Sequence, residues 1–471
     1  MNSKEGQQGG FRRGTLTTSS SGLNLNRMPY KFLDNSYYSN SGGHQRRDSK
    51  CLVHNLLSFN IPQPKPKEEE SDPGSVAPSL LSDTSSTPVT RQSSNDALNL
   101  MSKDAISEMV LSVRDLSKNL SSVSMKLEFH NILIISKITD SSLVSVTRDL
   151  ALWLLTIPAP NGALTVHIQD ILRSNQSFEY DRLIEQHPEV KDRIKFWASN
   201  GCQNNPNKYD LVIALGGDGT VLYTSWLFQR IVPPVLCFSM GSLGFMTEFD
   251  YSRRKQIISS ILENGVTCSL RMRFECTIMR ARHRDGKEGH SLEDEIENVN
   301  ETGVYKNHKA EKTICILNDV VVDRGPNPTM TSTVLFADNH YLTAIEADGV
   351  VIATPSGSTA YSLSAGGSLV HPDIPGMLIS PICPHTLSFR PIVLPDSMVI
   401  SVGVPYDARE TAWCSFDGKS RFELYRGDFL SVTAARYPFP IIQNGNTSSS
   451  WFPRLSKTLH WNERKRQKPL G

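Results

Sequence analysis

Continuous apolar runs alternate with helix-like spacings between residues 97 and 264. Runs such as Asp210–Leu215 (DLVIAL) carry apolar residues without alternation, which is typical of strands buried on both faces of a parallel sheet. The predicted strands are His130–Ser136, Leu164–Ile168, Asp210–Leu215 and Pro234–Ser239, and the predicted helices are Ala97–Leu127, Ser142–Ile157, Val221–Arg230 and Ser252–Glu263. Strands that alternate with helices favour an open α/β sheet.

Beyond Gly265 the apolar runs become short and are separated by turn residues such as Asp338-Asn339, Asp348-Gly349 and Asp417-Gly418. This spacing favours a second, mainly β domain. Its predicted strands lie within Leu270–Arg282, Lys312–Val322, Thr333–Phe336, Tyr341–Glu346, Met398–Val404 and Phe429–Ala434. The polar stretch Asp285–Glu311 is predicted to be a loop insertion in a hairpin.

Both ends of the chain differ from its middle. The first 95 residues are rich in Ser, Asn, Gly and Pro, and segment 62–95 is too poor in apolar residues to offset the entropy lost on ordering. Residues 454–471 hold basic side chains against one acid, Glu463. The predicted organisation is a disordered Ser/Pro-rich tail over 1–95, an α/β domain over 96–264, a β-rich domain over 265–435 with an insertion at 285–311, and a flexible basic tail over 436–471.

Composition and charge narrow the function. Apolar residues make up 38% of the 471 residues, and 49 Lys and Arg against 48 Asp and Glu give a net charge of +1. This balance is not typical of proteins that coat nucleic acid or an anionic membrane. No apolar stretch reaches the ~20 residues of a membrane span, and none of the eight cysteines forms a CxxC pair. Without a secretory signal, we expect a cytoplasmic protein with reduced thiols and no nucleic-acid or membrane partner.

The sharpest candidate for chemistry is the segment Leu215–Thr220 (LGGDGT), between a predicted strand and a predicted helix. Open α/β sheets bind ligands outside the carboxyl ends of their strands. The bare N–H groups of the glycines and the helix N-terminus suit a phosphate chain. Phosphates repel a carboxylate such as Asp218 unless it binds a metal or takes a proton from a hydroxyl, and both roles belong to phosphoryl transfer to an alcohol. A plain β–turn–helix is the alternative.

Two further segments are rich in polar groups. Asn318-Asp319 opens an apolar run, and a carboxylate there suits two ribose hydroxyls, although a hairpin turn explains the pair about as well. Asp348–Gly367 leads from a β-run into Ser, Thr and Gly, where hydroxyls and free N–H groups suit a nucleotide and Tyr361 offers a stacking face. A Ser/Thr-capped helix is the alternative. The P-loop pattern GxxxxGK[ST] is absent from the sequence.

In this order, the three segments resemble the NAD kinase family, and specifically its eukaryotic, fungal-type branch. Gly216–Thr220 matches the family's glycine-rich motif, and Asn318-Asp319 its Asn-acid motif, with Asp where many relatives have Glu. Thr354–Gly367 matches its Thr/Ser-rich motif. The resemblance covers about residues 130–435 and extends to Gly241–Phe245, His371-Pro372, Cys383–His385 and Ser388–Pro391.

The resemblance implies a Rossmann-like α/β domain followed by a β-rich domain, with the site between them. It implies transfer of the γ-phosphoryl group of ATP to the 2′-hydroxyl of the adenosine ribose of NAD, with NADH as an open alternative. Asp218 would accept the proton. The residues implied to bind the nucleotides are Gly216, Gly217, Gly219, Thr220, Asn318, Asp319, Asp348, Thr359, Ala360, Tyr361, Ser362 and Ser364. The resemblance also implies a homo-oligomer and ATP bound with Mg²⁺ or another divalent cation, and we assign no residue as a metal ligand.

Two other functions stay open at this stage. A lipid kinase of the diacylglycerol or sphingoid class also uses a GGDGT-type loop, but it needs an apolar channel, which the polar segment Thr354–Ser364 fits less well. A non-catalytic NAD-binding regulator has no need of a base at Asp218.

Overall fold

A computed structural model describes residues 123–125, 127–158, 160, 162–241, 244–283, 291–299, 305–386, 388–443 and 447–461. The tail predicted over 1–95 and the greater part of the helix predicted over Ala97–Leu127 lie outside this range. Among the described residues, none of the helices combines the length and the apolar character that crossing a membrane requires.

The first part of the chain builds a largely parallel sheet with helices against it. Its strands are β1 (Val123–Met125), β2 (Asn131–Ser136), β3 (Thr165–Gln169), β4 (Ile194–Trp197), β5 (Leu211–Gly216), β6 (Val235–Ser239), β7 (Phe249–Asp250) and β8 (Val266–Arg271). Its helices are α1 (Ser141–Thr156), α2 (Tyr180–Gln186), α3 (Ser199–Asn204), α4 (Asp218–Leu227) and α5 (Arg254–Asn264). Short 3₁₀ turns occupy Asp170–Ser174, Pro188–Arg193, Pro206–Lys208 and Tyr251–Arg253.

The apolar runs of the central strands cover both faces of this sheet. Ile132 and Ile134 pack into one core cluster, whereas the alternate residues Leu133 and Ile135 pack into a second cluster. All four predicted strands of this region are confirmed to within one residue, because a run without alternation is what a doubly covered strand requires. The predicted helix Val221–Arg230 begins three residues earlier, at Asp218.

The next part of the chain forms two antiparallel sheets packed face to face. Its strands are β9 (Phe274–Ala281), β10 (His308–Ile316), β11 (Asp319–Asp323), β12 (Thr331–Ala337), β13 (His340–Ala347), β14 (Gly349–Ala353), β15 (Gly376–Ile382), β16 (Ile392–Pro395), β17 (Ile400–Gly403), β18 (Ala412–Phe416), β19 (Ser420–Leu424) and β20 (Phe429–Ala434). One sheet has the order β10-β9-β20-β17-β12-β13 and the other β16-β15-β14-β11-β18-β19. Side chains from both, including Leu335 and Val350, share one core.

Short helices interrupt these strands. They are α6 (Leu292–Glu297), a 3₁₀ turn at Ser356–Thr359, and α7 (Tyr361–Ser364). The insertion predicted as a loop over 285–311 is therefore wrong in two places: it contains α6, and its end from His308 belongs to β10. Ser291 caps α6 by accepting a hydrogen bond from the Asp294 amide at 3.0 Å, which explains why a polar segment forms a helix there.

The chain then returns to the first sheet. Strand β21 (Phe439–Ile442) lies between β8, to which it is antiparallel, and β6, to which it is parallel, and helix α8 (Thr447–Leu459) follows. The flexible tail predicted from residue 436 is therefore wrong over these two elements. We call the part built on the nine-stranded sheet, β21 and α8 included, the first lobe, and the two six-stranded sheets the second lobe.

Two other predictions need correction in the first lobe. The run Leu270–Arg282 is not one strand, because its beginning belongs to β8 in the first sheet and the rest to β9 in the second lobe. The end of the helix predicted over Ala97–Leu127 is strand β1, which pairs antiparallel with β8. Three residues are too few to distinguish the helical period from the strand period, so only the pairing with β8 decides the conformation of this segment.

The crossings between the lobes are fixed by one buried arginine. Arg273 donates to the carbonyl oxygens of Phe228 at 2.6 Å, Arg230 at 2.7 Å and Tyr437 at 2.9 Å. Burial lowers the pKa of this guanidinium, and its hydrogen bonds compensate for the lost hydration. The chain passes between the lobes twice, at residues 272–273 and at 435–438. The hydrogen bond from Arg273 to the Tyr437 carbonyl joins these two segments.

Candidate functional site

The glycine-rich loop follows β5, and Gly217 is the N-cap of α4. A side chain at Gly216 would overlap the Thr220 hydroxyl, so this glycine is required by the turn itself. Gly217 and Gly219 are exposed, and a Cβ atom added to either would meet no other described atom within 4 Å. The space beside their backbone is therefore open to a ligand.

The Asp218 side chain turns toward the loop that follows β6. Its two carboxylate oxygens accept hydrogen bonds from the backbone N–H of Phe245 at 2.8 Å and of Met246 at 3.0 Å. A side chain at Gly244 would overlap the same carboxylate. Since each carboxylate oxygen has two acceptor positions, the half-buried group is fixed in orientation and keeps capacity to accept a proton.

The backbone of the Asn318-Asp319 turn is held by a carboxylate from a distant hairpin. Asp417 accepts hydrogen bonds from the N–H groups of Leu317 at 2.9 Å, Asn318 at 2.8 Å and Asp319 at 3.2 Å. Burial raises the pKa of Asp417, and the three amide bonds oppose that shift. Asp417 has a φ of 47° at the β18–β19 turn, a conformation that Asp tolerates better than bulky residues.

The two side chains of this turn offer unused polar groups. The Asn318 Oδ1 atom is buried and has no hydrogen-bond partner among the described residues. Asp319 is only 6% exposed and accepts a hydrogen bond from the Tyr361 backbone. Burial, and next the charge of Asp417, raise the pKa of Asp319 to about 7. A buried acceptor without a partner needs an explanation, and a ligand donor is one.

The Thr/Ser-rich segment folds directly against this turn. The Thr354 amide donates to the Asn318 carbonyl at 2.8 Å, and the Thr354 hydroxyl donates to the Leu317 carbonyl at 2.6 Å. A side chain at Gly357 would overlap the Asn318 carbonyl, so the close approach requires glycine. The second and third motifs, far apart in sequence, therefore form one unit.

The predicted binding residues in helix α7 and in the turn before it differ in how far their side chains are free to contact a ligand. Tyr361 is 45% exposed. Its pKa is raised chiefly by partial burial, and the nearby charges of Asp323 and Asp319 raise it further. Ser362 is directed inward and pairs with Ser380 at 3.0 Å. Thr359 donates to the Ser356 carbonyl at 3.1 Å. Ala360 is half-buried and Ser364 is exposed.

Asp348 lies at the other end of the strand from Asp319. Asp319 pairs with Ala353 across β11 and β14, which places Asp348 about 17 Å farther along β14 at ~3.4 Å per residue. Its carboxylate forms an ion pair with Arg324 at 3.1 Å. A single ligand that reaches both carboxylates must be extended, as a dinucleotide is.

The glycine-rich loop and the Asn318-Asp319 turn meet at the junction of the lobes. Leu317 packs in a core cluster that also contains Val221 of α4 and Met246 of the loop that holds Asp218. The Lys419 ammonium lies over the rings of Tyr223 at 4.6 Å and Trp226 at 5.5 Å, both on α4. Burial lowers the pKa of Lys419 to about 8.

Sequence reasoning missed several of these residues. The sequence pattern predicts only a turn at Asp417-Gly418 and gives no role to Lys419. Gly241–Phe245 matches the family, but nothing in the segment indicates that the Phe245 amide, together with that of Met246, binds Asp218. An Asp at a hairpin turn indicates a role in positioning the site only when the amides that it binds are known.

Comparisons with known proteins give a consistent result. Residues 132–266 match the ATP-NAD kinase N-terminal domain and residues 317–444 the ATP-NAD kinase C-terminal domain. An ATP-NADH kinase of Saccharomyces cerevisiae is 40% identical over 361 residues, covering 76% of this chain and 69% of that protein. An NAD(+) kinase of the same yeast is 41% identical over 358 residues, covering 76% and 64%.

A solved structure extends the likeness to the fold. The crystal structure of yeast NADH kinase complexed with NADH has a TM-score of 0.57 and 28% identity, covering 73% of this chain and 91% of the other. An α/β part followed by a β-rich part, as the sequence predicted, is confirmed.

Proposed function

The chain belongs to the ATP-NAD kinase family, and from this premise we propose which of its residues carry the reaction. The activity is transfer of the γ-phosphoryl group of ATP to the 2′-hydroxyl of the adenosine ribose of NAD, which yields NADP and ADP. The proposal rests chiefly on the Asp218 carboxylate, which two amides orient beside an exposed glycine loop.

Asp218 is the proposed proton acceptor. A ribose hydroxyl is a poor nucleophile at neutral pH, and a positioned carboxylate takes its proton as the new oxygen–phosphorus bond forms. The bond between the γ-phosphorus and the oxygen that bridges it to the β-phosphate breaks in the same process, and ADP leaves with that electron pair. The N–H groups around Gly217 and Gly219 would stabilise the charge on the phosphates.

The Asn318-Asp319 turn and helix α7 are the proposed NAD site. The buried Asn318 Oδ1 atom would accept a hydrogen bond from the ligand, and Asp319 would accept from ribose hydroxyls. Tyr361, being half-exposed, would stack on a ring of the dinucleotide. The Ser362 hydroxyl already pairs with Ser380, so we expect that residue to contribute its backbone only.

A divalent cation, Mg²⁺ or another, fits this site when it arrives on the phosphates of ATP. No cluster of three His, Cys, Asp or Glu side chains that could hold a metal by itself occurs within the described parts of the chain. Mg²⁺ typically binds through one or two carboxylates together with substrate phosphates. Asp218 is the protein carboxylate at the loop, and the cation would neutralise phosphate charge there.

A panel of acceptors tests this function. Purified protein with ATP, Mg²⁺ and either NAD or NADH should form NADP or NADPH, detected by a coupled dehydrogenase, and chelation by EDTA should abolish the signal. Phosphate transfer to a diacylglycerol or sphingoid base, with none to NAD or NADH, would instead support a lipid kinase. Binding of NAD without transfer to any acceptor would support a regulator.

The raised pKa of Asp319 makes NAD binding depend on pH near neutrality. The ionised carboxylate is the better hydrogen-bond acceptor, and at pH 6 only about a tenth of a group with pKa about 7 is ionised. We therefore expect the KM for NAD to rise about tenfold between pH 8 and pH 6. Initial rates across this range measure it, and Asp319→Asn should flatten the profile. An unchanged profile in that variant contradicts the assignment.

The same group links stability to pH. A carboxyl whose pKa is raised on folding favours the folded state while it is protonated, so its contribution to stability is lost as pH rises from the free value of 3.8 to about 7 and changes no further above that. Asp319→Asn should thus raise the unfolding temperature at pH 8 more than at pH 5, although it weakens NAD binding. Thermal unfolding at both values provides the measurement.

We also propose, from the resemblance, a homo-oligomer in the cytoplasm. Light scattering during size-exclusion chromatography measures the first, and microscopy of a tagged full-length chain measures the second.

A further inference from the structure

The carboxy-terminal helix α8 reaches the loop that holds Asp218. The Arg454 Nη1 atom donates to the carbonyl oxygen of Phe245 at 2.7 Å. That carbonyl belongs to the same peptide unit as the N–H of Met246, which donates to the Asp218 carboxylate at 3.0 Å. One peptide unit therefore lies between a guanidinium and the proposed catalytic carboxylate, and hydrogen bonds in such a chain polarise and strengthen one another.

Arg454 is itself held by a buried network. Its Nη2 atom donates to Glu248 at 2.5 Å and to the Ser450 hydroxyl at 2.7 Å, and its Nε donates to the Ser450 carbonyl at 2.9 Å. The Ser450 hydroxyl donates to the same Glu248 oxygen at 2.6 Å. The side chains of Arg454 and Glu248 are 9% and 6% exposed. The planar guanidinium thus fixes three partners at once, a geometry that lysine does not reproduce.

Helix α8 also contacts the second lobe. The Trp451 ring, on the buried face of the helix, meets His371 edge-on at a centroid distance of 5.0 Å. Strand β21, which precedes the helix, lies inside the first sheet between β8 and β6. The helix that carries Arg454 is therefore tied to the first sheet through β21 and packs against the second lobe through Trp451.

We propose that Arg454 is a positioning residue for the phosphoryl transfer: through the Phe245–Met246 peptide it aims the Asp218 carboxylate at the acceptor hydroxyl. The inference rests on the proposed role of Asp218 and extends the site to a helix outside its recognised motifs. Because Arg454 acts on the carboxylate and not on NAD, its loss lowers kcat and leaves the KM for NAD unchanged. A misplacement of about 1 Å at a reacting group costs up to about 10²-fold in rate.

The test compares Arg454→Gln with Lys457→Gln, which removes the same charge from the exposed face of the same helix. We expect Arg454→Gln to lower kcat between about tenfold and a hundredfold with KM for NAD within twofold, and Lys457→Gln to match the parent. Arg454→Lys should recover only part of the loss. A folded Arg454→Gln protein with the parental kcat, or one with raised KM and unchanged kcat, overturns the proposal.

A second variant and a double variant separate positioning from general damage. Should Arg454→Gln fail to fold, Ser450→Ala loosens the network without leaving a charge unpaired, and we expect a smaller fall in kcat at constant KM; an unchanged kcat there overturns the proposal. In an Asp218→Asn background, Arg454→Gln should lower kcat no further, whereas a multiplicative loss contradicts action through Asp218. A parental kcat in Asp218→Asn alone would instead count against the proposed function, so the two failures remain distinct.

Discussion

Asp218→Asn is expected to lower kcat roughly 10²–10⁴-fold, the range for loss of one acid–base group. Asparagine keeps the shape and one acceptor oxygen, so it can still bind one of the amides of Phe245 and Met246. It cannot take a proton from the ribose hydroxyl. NAD binding, measured by calorimetry, should therefore change little while NADP formation nearly stops.

A matched control, Asp210, lies beyond the other end of β5. Asp210 precedes β5 and accepts hydrogen bonds from the amides of His130 at 2.8 Å and Asn131 at 2.7 Å. It is thus another half-buried carboxylate with two amide partners, at the opposite end of a strand of about 20 Å. Asp210→Asn should keep the parental kcat. Loss of activity in both variants, or in neither, would remove Asp218 from the catalytic role.

Asp417→Ala is expected to disturb both stability and NAD binding. Three buried N–H groups, those of residues 317–319, lose their acceptor, and each such loss costs about 1–3 kcal/mol. Part of this cost is offset, because the variant no longer has to bury a carboxylate. The raised pKa of Asp417 shows that its burial is unfavourable. We expect a net loss of about 3 kcal/mol in the free energy of unfolding and a raised KM for NAD, because Asn318 and Asp319 lose their fixed geometry.

A graded series makes this prediction specific. Asp417→Asn keeps the oxygen that accepts from Asn318 and Asp319, so we expect about a third of the loss. Asp338 offers a comparison, since it also sits in a turn at φ 50° and accepts one amide bond, from Val399 at 2.8 Å, but is exposed. Asp338→Ala should leave the KM for NAD unchanged. Denaturant unfolding and initial rates measure both quantities, and a stable Asp417→Ala protein with parental KM would contradict this account.

Features that depend on neighbours in the chain could be predicted from the sequence. Strands β2 and β5 were found because an unbroken apolar run is what burial on both faces requires. The glycine-rich loop could also be predicted, because a tight turn between a strand and a helix requires glycines, and these are visible in the sequence. The resemblance to the NAD kinase family, carried by three such segments, is confirmed.

Features that depend on which distant surfaces meet could not be predicted in this way. Strand β21 is only four residues long. It lies between β8 and β6 because the backbone groups of those two strands, which come from other parts of the chain, pair with it. For this reason the sequence pattern predicts a flexible tail at the end of the chain, although α8 carries Arg454 to the loop beside Asp218.

The alternation of strands and helices in the first lobe, the two-part architecture and the three motifs follow from the amino-acid sequence alone, since periodicity and turn chemistry act over a few residues. The tertiary structure alone decided that Asp417 holds Asn318 across 99 positions and that Arg454 reaches Phe245 across 209. It also decided the burial and the nearby Asp417 charge that raise the pKa of Asp319 to about 7. Burial, hydrogen-bond partners and charge arise only when distant segments pack together, so no local pattern carries them.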